Sequence, residues 1–506
     1  MDLFQLGDAF ARLTTFSSLL HVAWATLLGI IVGALPGLTA TMGVALLTTL
    51  TFKLPPETAI LVLICMYVGA IYGGSRSAIL LNIPGTPASA ATSLDGYPLA
   101  LAGQAGHAMA LATSGSALGT LIGLVLLALT APMLAELALS FGSYEFFWLA
   151  VFGVLISGQL TAEADPIKGY IAGILGLLVA MIGSEGIHAH VRFTLGLDPL
   201  SGGIGLIPAM VGAFGFSEVL AVMSQARARL LSELATGRLL PRWSELWRYR
   251  RTIGRSGLIG TLIGIIPGVG EDIGAWASYA AAKRASPERD RFGKGSLEGL
   301  TAAETGNSAV VPGALIPALT LAVPGSAPAA VLIAAMFIHG IRPGPTIMLE
   351  QPEFVFGVVV MLLFATLGIT FYGLALTRLF ILTLKVPRER LMGVVFVLCV
   401  IGPFAITQRL FDVWVMVAFG ILGYVMRRMR YPLPPLVLGI ILGDLLDKNL
   451  RRGLIVSDGS LEPFFTRPIS AVLAAACLLT IALSVPAVRN AVHAAMRRLG
   501  GQRSRA

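Results

Sequence analysis

Charged side chains are scarce in this chain. Only 12% of its 506 residues are Asp, Glu, Lys or Arg, against about 25% in a soluble domain, which excludes a surface that is mostly exposed to water. Cysteine is nearly absent too. Cys65, Cys399 and Cys477 each sit within an apolar run, so they read as small core residues rather than a disulfide framework. The opening "MDLFQLGDAFARL" has no basic stretch ahead of an apolar core, and no cleavable signal peptide is expected. No HExxH or GxSxG segment occurs, and "GGS" at 73–75 has no histidine nearby. An intramembrane enzyme would need a nucleophile with its base, or a metal cluster, within the spans. "HAH" at 188–190 lacks further metal ligands and is expected in a solvent-exposed external loop.

Apolar residues fill the space that charge vacates. They make up 56% of the chain, mean hydropathy is +0.83, and long runs recur, as at 355–384 and 468–488. About 20 apolar residues cross a bilayer as a helix. The expected fold is an all-α polytopic membrane protein. Spans are expected near 57–81, 107–136, 145–160, 167–186 and 204–223 in the first half.

The net charge of +9 is concentrated. Eight arginines fall between 225 and 255, and five in the tail 489–505. Such clusters between apolar spans mark cytoplasmic loops. This distribution argues for contact with anionic lipid and against nucleic acid. The expected organisation is a first transmembrane repeat at 1–224 and an arginine-rich cytoplasmic linker at 225–256. A second repeat at 257–488 and a basic cytoplasmic tail at 489–506 follow. Residues 186–202 then face outside.

The division into repeats rests on self-similarity. "LLGIIVGALPGLTATMG" (27–43) matches "LIGTLIGIIPGVGEDIG" (258–274), aligning Pro36-Gly37 with Pro267-Gly268. "AILLNIPGTPASAA" (78–91) matches "PALTLAVPGSAPAA" (317–330), aligning Pro84-Gly85 with Pro324-Gly325. Counting spans outward from the basic linker gives the two halves inverted topologies, although Lys448 to Arg452 falls on the wrong side. Paired Gly/Pro-interrupted segments in inverted halves point to a secondary transporter's binding site. Non-helical backbone is tolerated at membrane depth only in protein or beside a cavity. Segment 257–281 either crosses and returns or enters as a re-entrant hairpin broken at Pro267-Gly268.

Candidate binding groups lie beside these breaks: Thr39, Thr41, Asn82, Thr86, Ser89 and Ser326. Short hydroxyls and amides can ligate carboxylate or a cation without burying a fixed charge. Freed backbone N–H groups at half-helix starts can hold an anion, and Gly85 and Gly325 would let it approach closely. Glu271, Asp272, Glu304 and Asn307 form a second, ion-coupling group, since ionisable residues within spans mark ion or proton pathways. Glu271 and Asp272 read equally as solvated residues at a hairpin end. Arg76, in "YGGSRSAIL", can pair a substrate carboxylate bidentately or hold an intramembrane salt bridge; the sequence admits both. An ion channel is the remaining rival, although inverted halves in one chain favour alternating access.

Several long segments resemble the large membrane subunit of the tripartite tricarboxylate transporters. They are "GALPGLTATMG", "YGGSRSAILLNIPGTPASAATSLDGYPLA", "GIIPGVGEDIGAWASYAAAKR", "FGKGSLEGLTAAETGNSAVVPGALIPALTLAVPGSAPAAVL" and "FDVWVMVAFGILGYVMRR". The resemblance implies a multi-pass carrier of the bacterial cytoplasmic membrane that imports carboxylates, driven by a sodium or proton gradient and without another cofactor. It also implies two protein partners, a periplasmic solute-binding protein and a small four-helix membrane subunit.

Overall fold

The computed structural model describes residues 3–35, 38–86, 88–161, 165–223, 241, 243–268, 270–376 and 388–484. Pro36, Gly37 and the tail 489–506 lie outside these, as does most of the arginine-rich linker. The protein is an all-α polytopic membrane protein; β structure among the described residues is confined to one two-stranded pairing of Gly183–Ser184 with Val191–Arg192. Among the described residues, seven helices are long and apolar enough to cross a membrane. Pro56–Leu81, Ser143–Thr161 and Leu206–Met223 fall close to the expected spans.

The chain divides into two compact units. Neither follows the sequence halves: one takes Met1–Leu139 with Ile204–Met429, the other Ser140–Gly203 with Arg430–Ala506. In the second unit, helices Ser143–Thr161, Pro166–Ala180, Leu433–Val456 and Pro468–Ser484 pack through glycine contacts. Gly158 meets Gly169, and Gly176 meets Gly439 and the Leu436 carbonyl. Glu145, buried, accepts from Ser470 at 2.8 Å and pairs with Arg467 at 3.0 Å. His188 of the "HAH" loop is exposed and bonds Glu185 at 3.1 Å.

Nine helices of the first unit build its core. In the first half these are α1 (Phe16–Ala34), α2 (Ala40–Thr51), α3 (Pro56–Leu81), α4 (Ser89–Leu99) and α5 (Ala105–Ala138). In the second half they are α6 (Arg250–Ile265), α7 (Gly270–Ala285), α8 (Leu297–Leu321) and α9 (Ala327–Ile338). Helix α6 starts at Arg250, inside the stretch expected as linker. Helices α3 and α8 are the central pair, with nearly every residue buried.

Segment 257–281 forms a hairpin. Helices α6 and α7 pack on each other and on α8. Gly260 and Gly264 meet α8 at Gly306 and Val310, and α7 returns with Gly270 at Val310 and Gly274 at Gly306. Each arm has 16 residues, about 24 Å at 1.5 Å per residue, less than the ~30 Å of a hydrocarbon core. The arms are therefore re-entrant in length, and the break at Pro267-Gly268 lies buried.

The hairpins dock through glycine because a side chain would occupy the space of the partner backbone. A methyl at Gly33 would overlap the Ala70 carbonyl of α3, and one at Gly260 the Gly306 carbonyl of α8. Such close approach is how helices associate where the hydrophobic effect supplies no drive. We expect Gly33→Ala and Gly260→Ala each to cost about 1–3 kcal/mol through overpacking, read as earlier thermal unfolding of the purified protein. Gly254→Ala, where nothing lies within 4 Å of the added carbon, should unfold like the wild type.

Candidate functional site

The second-half breaks meet. The N–H of Gly268, at φ 74°, donates to Pro324 O at 3.2 Å, and the N–H of Gly270 donates to Gly325 O at 3.1 Å. Two non-helical segments thus satisfy each other inside the unit, with Pro267, Gly268, Pro324, Gly325 and Ser326 all buried.

The break after α3 and the break after α8 have the same geometry. Asn82 ends α3 and Ala322 ends α8, each at φ 55° in the left-handed region. The following N–H groups fold back alike, Ile83 to Ser77 O and Val323 to Pro317 O. Next, Gly85 N–H donates to Gly74 O at 3.3 Å and Gly325 N–H to Ala314 O at 3.4 Å. A methyl at Gly85 would overlap the Gly33 carbonyl, and one at Gly325 the Gly264 carbonyl. Thr86 and Ser89 then bond reciprocally at the start of α4, while Ser326 caps α9 by accepting from Ala329 N at 3.3 Å. Thr39 caps α2 through Met42 N at 3.2 Å, and Thr41 is buried in its first turn.

These bonds change the role expected of the glycines. The N–H groups of Gly85, Gly268 and Gly325 already have acceptors, so they are not free donors awaiting an anion. Gly85 and Gly325 are needed because backbone passes against backbone. Asn82 is exposed and serves as a left-handed cap, a conformation Asn tolerates better than most residues. Pro84 is half-buried beside it.

Charge sits deeper. Glu304 on α8 is fully buried and accepts three hydroxyl bonds: from Ser75 on α3 at 2.6 Å, Ser116 on α5 at 2.9 Å, and Thr92 on α4. Arg76 on α3 is equally buried. Its guanidinium donates to Met109 O at 3.2 Å and Thr113 Oγ1 at 3.3 Å, and lies 4.3 Å from the centre of the Tyr72 ring. Arg76 and Glu304 both bond to α5, Arg76 at Met109 and Thr113 and Glu304 at Ser116. Arg76 is therefore held inside the core rather than presented at a break.

Asn307, one turn beyond Glu304, is also fully buried, yet neither its Nδ2 nor its Oδ1 has a partner. Glu271 and Asp272 occupy the first turn of α7; their side chains lie outside the described residues, as do Pro36 and Gly37. Sequence reasoning missed Asp95. Its buried carboxylate accepts the N–H groups of Gly293, Gly295 and Ser296 at 2.8–2.9 Å and the Tyr279 hydroxyl at 2.9 Å. It thereby ties α4 of the first half to the loop entering α8. The signal was an acid in "LDGYPLA", flanked by apolar residues.

Two outcomes test these roles. Asp95→Ala strands three backbone donors and should strip folded protein from detergent extracts, with Asp95→Asn intermediate. Gly85→Ala and Gly325→Ala should act in the same way, by lowering the yield of folded protein, whereas Gly357→Ala, with 3.6 Å of clearance, should not. Normal yield with weakened transport in Gly85→Ala would restore the anion-contact role.

Comparison with known proteins places this geometry in context. Residues 19–438 match the tripartite tricarboxylate transporter TctA family. An Agrobacterium vitis protein described as an uncharacterized 52.8 kDa protein in the TAR-I ttuC' 3' region is 35% identical over 477 residues, covering 93% of this chain and 94% of the relative. A second Agrobacterium vitis protein, from the TAR-II ttuC' 3' region, is 34% identical over 232 residues, covering 46% of this chain and 96% of the relative. No solved structure matches. The chain belongs to the tripartite tricarboxylate transporter TctA family.

Proposed function

We propose that this chain is the carrier subunit of a carboxylate importer in the bacterial cytoplasmic membrane, driven by a sodium or proton gradient. A periplasmic solute-binding protein delivers the substrate, and a small four-helix membrane subunit completes the complex. The observation that carries the reading is the meeting of broken helices within a buried core, Gly268 with Pro324 and Gly270 with Gly325. Backbone that departs from helix inside a membrane protein is kept where it serves a cavity or a moving gate. In transporters it marks the site around which halves of opposite topology alternate.

The hydroxyl-rich starts of α2, α4 and α9, at Thr39, Thr41, Thr86, Ser89 and Ser326, supply the substrate side of the site. Helix starts carry partial positive charge, which suits an anion without a buried lysine. Glu271, Asp272 and Asn307 supply the ion side. Glu304 and Arg76 act through position, holding α3, α4, α5 and α8 in one electrostatic unit.

Uptake of labelled di- and tricarboxylates into proteoliposomes, with the cognate binding protein and small subunit supplied, tests the function. Saturable uptake that collapses without an imposed gradient is the expected result. Unsaturable flux indifferent to the gradient would make the protein a channel, and chemical turnover of the substrate would make it an enzyme. Opposite topology is tested separately. His190→Cys and Ser244→Cys should label from opposite sides with an impermeant thiol reagent, because the native cysteines are buried. Labelling of both from one side would refute the inverted halves.

A further inference from the structure

The two halves bring equivalent pairs of helix starts together on a buried helix, and differ in the side chain that lies between them. In the first pair, the starts of α2 and α9 converge on α3 at Tyr67, whose hydroxyl bonds the cap residue Ser326 at 2.7 Å. In the second, the starts of α7 and α4 converge on α8. The alignment of Pro84-Gly85 with Pro324-Gly325 puts Asn307 where α3 has Tyr67, and Thr86 where α9 has its cap Ser326.

Contacts along α8 place Asn307 independently of the alignment. Leu300 lies against Gly96 of α4, and Glu304 bonds Thr92 of α4. One further turn sets Asn307 opposite Ala88 and Ser89 at the start of α4. On the other side, Gly274 and Gly270 of α7 meet Gly306 and Val310. Ala303, one turn below Asn307 on the same face, belongs to a buried cluster that includes Ala88 and Ala91 of α4 and Ala275 of α7. Asn307 therefore points between two helix starts. A tyrosine there would reach the cap of α4 as Tyr67 reaches the cap of α9; an asparagine is shorter by a ring. Its amide is left fully buried with both polar atoms unpartnered, a costly arrangement in a dry core unless a ligand completes it.

The charges of the two pockets differ as well. Helix α2 starts with Ala40 and Thr41, whereas α7 carries Glu271 and Asp272 at the matching places. An amide carbonyl and hydroxyl and backbone oxygens suit a hard monovalent cation, as oxygen ligands do for hard metal ions generally.

We propose that Asn307 forms the floor of a sodium-sized cation site between the first turns of α4 and α7, and that Tyr67 closes the equivalent pocket of the other half. Asn307 Oδ1 contributes one ligand, and the Thr86–Ser89 turn, shared with the substrate side, contributes hydroxyl and carbonyl oxygens. The site's place in transport rests on the proposed ion coupling; its occupancy by a cation does not.

The test measures binding without transport. Purified wild-type protein is unfolded thermally in sodium chloride and in choline chloride at equal ionic strength, with no carboxylate present. Sodium alone should raise the unfolding temperature in a saturable manner, because a ligand bound only by the folded state stabilises it. Asn307→Ala should move the half-saturating sodium concentration up at least tenfold. Asn307→Asp, which keeps an oxygen in place, should retain the response and serves where the alanine variant folds poorly. Ser157→Ala removes a buried unpartnered hydroxyl in the other unit and should respond like the wild type. A wild type that unfolds alike in both salts would overturn the site, as would an unchanged half-saturating concentration in Asn307→Ala. Sodium binding with no carboxylate uptake would refute the proposed function and leave the cation site standing.

Discussion

Backbone hydrogen bonding in a medium without water is the constraint on which the rest of this structure depends. A broken helix exposes N–H and C=O groups, and each one left unsatisfied in hydrocarbon costs several kcal/mol. The protein breaks its helices and settles the groups locally. Gly268 and Gly270 donate to the carbonyls of Pro324 and Gly325, and Gly85 and Gly325 donate back into the helices they have just left. These bonds need backbones at near-contact distance, which requires glycine on both sides. Gly33 passes under Gly85, and Gly264 under Gly325. The glycines at these contacts are thus a consequence of the breaks.

Once the breaks are closed on themselves, the halves must be held together by something else. Helix α4 of the first half lies on α8 of the second, and α9 of the second reaches α3 of the first. Polar bonds mark both crossings: Thr92 with Glu304, Asp95 with the loop before α8, and Tyr67 with Ser326. Burying Glu304 and Arg76 incurs a large desolvation cost, repaid only where geometry satisfies the remaining lone pairs and protons. Three hydroxyls on three helices do so for Glu304. Those bonds join four helices to one carboxylate, so any motion that separates the halves must carry that cluster as a body or dismantle it.

Much of this was legible in the sequence. Apolar run length located the spans, and Pro84-Gly85, Pro267-Gly268 and Pro324-Gly325 located breaks, because proline and glycine act on the backbone of their own residue. What those breaks do with their hydrogen bonds was not legible, since the acceptors are brought in by tertiary packing: Gly270 finds Gly325 across fifty-odd residues of intervening helix. Asn82 was expected as a ligand because its amide is polar; that its backbone forms a left-handed cap, matched by an alanine at the equivalent place, was not foreseen. The donors to Glu304 were missed for a similar reason. Ser75, Thr92 and Ser116 belong to three different helices, and serine or threonine in an apolar helix ordinarily bonds its own backbone, as Thr113 and Thr120 do here.

Duplication explains the scaffold but not the chemistry, and the departures from it are instructive. Arg76 aligns with Ile316, and Glu304 with Ile64; each half carries one buried charge at a place where the other has isoleucine. Neither half could hold its charge alone, because an unpaired ion in such a core is far costlier than a paired one. Packed together, the two departures are each satisfied by hydrogen bonds to neighbouring helices, and both bond to α5. The same holds one turn along α8, where Asn307 replaces the tyrosine of the first half and loses its hydrogen bond. A symmetric dimer of half-sized chains would place Arg76 and Glu304 equivalents in both pockets or in neither. Fusion of the halves into one chain is what permits a single charged cluster on one side and a single unfilled amide beside it. The likeness of the two halves thus supplies paired breaks, and the departures from it supply one charged cluster and one buried, unpartnered amide.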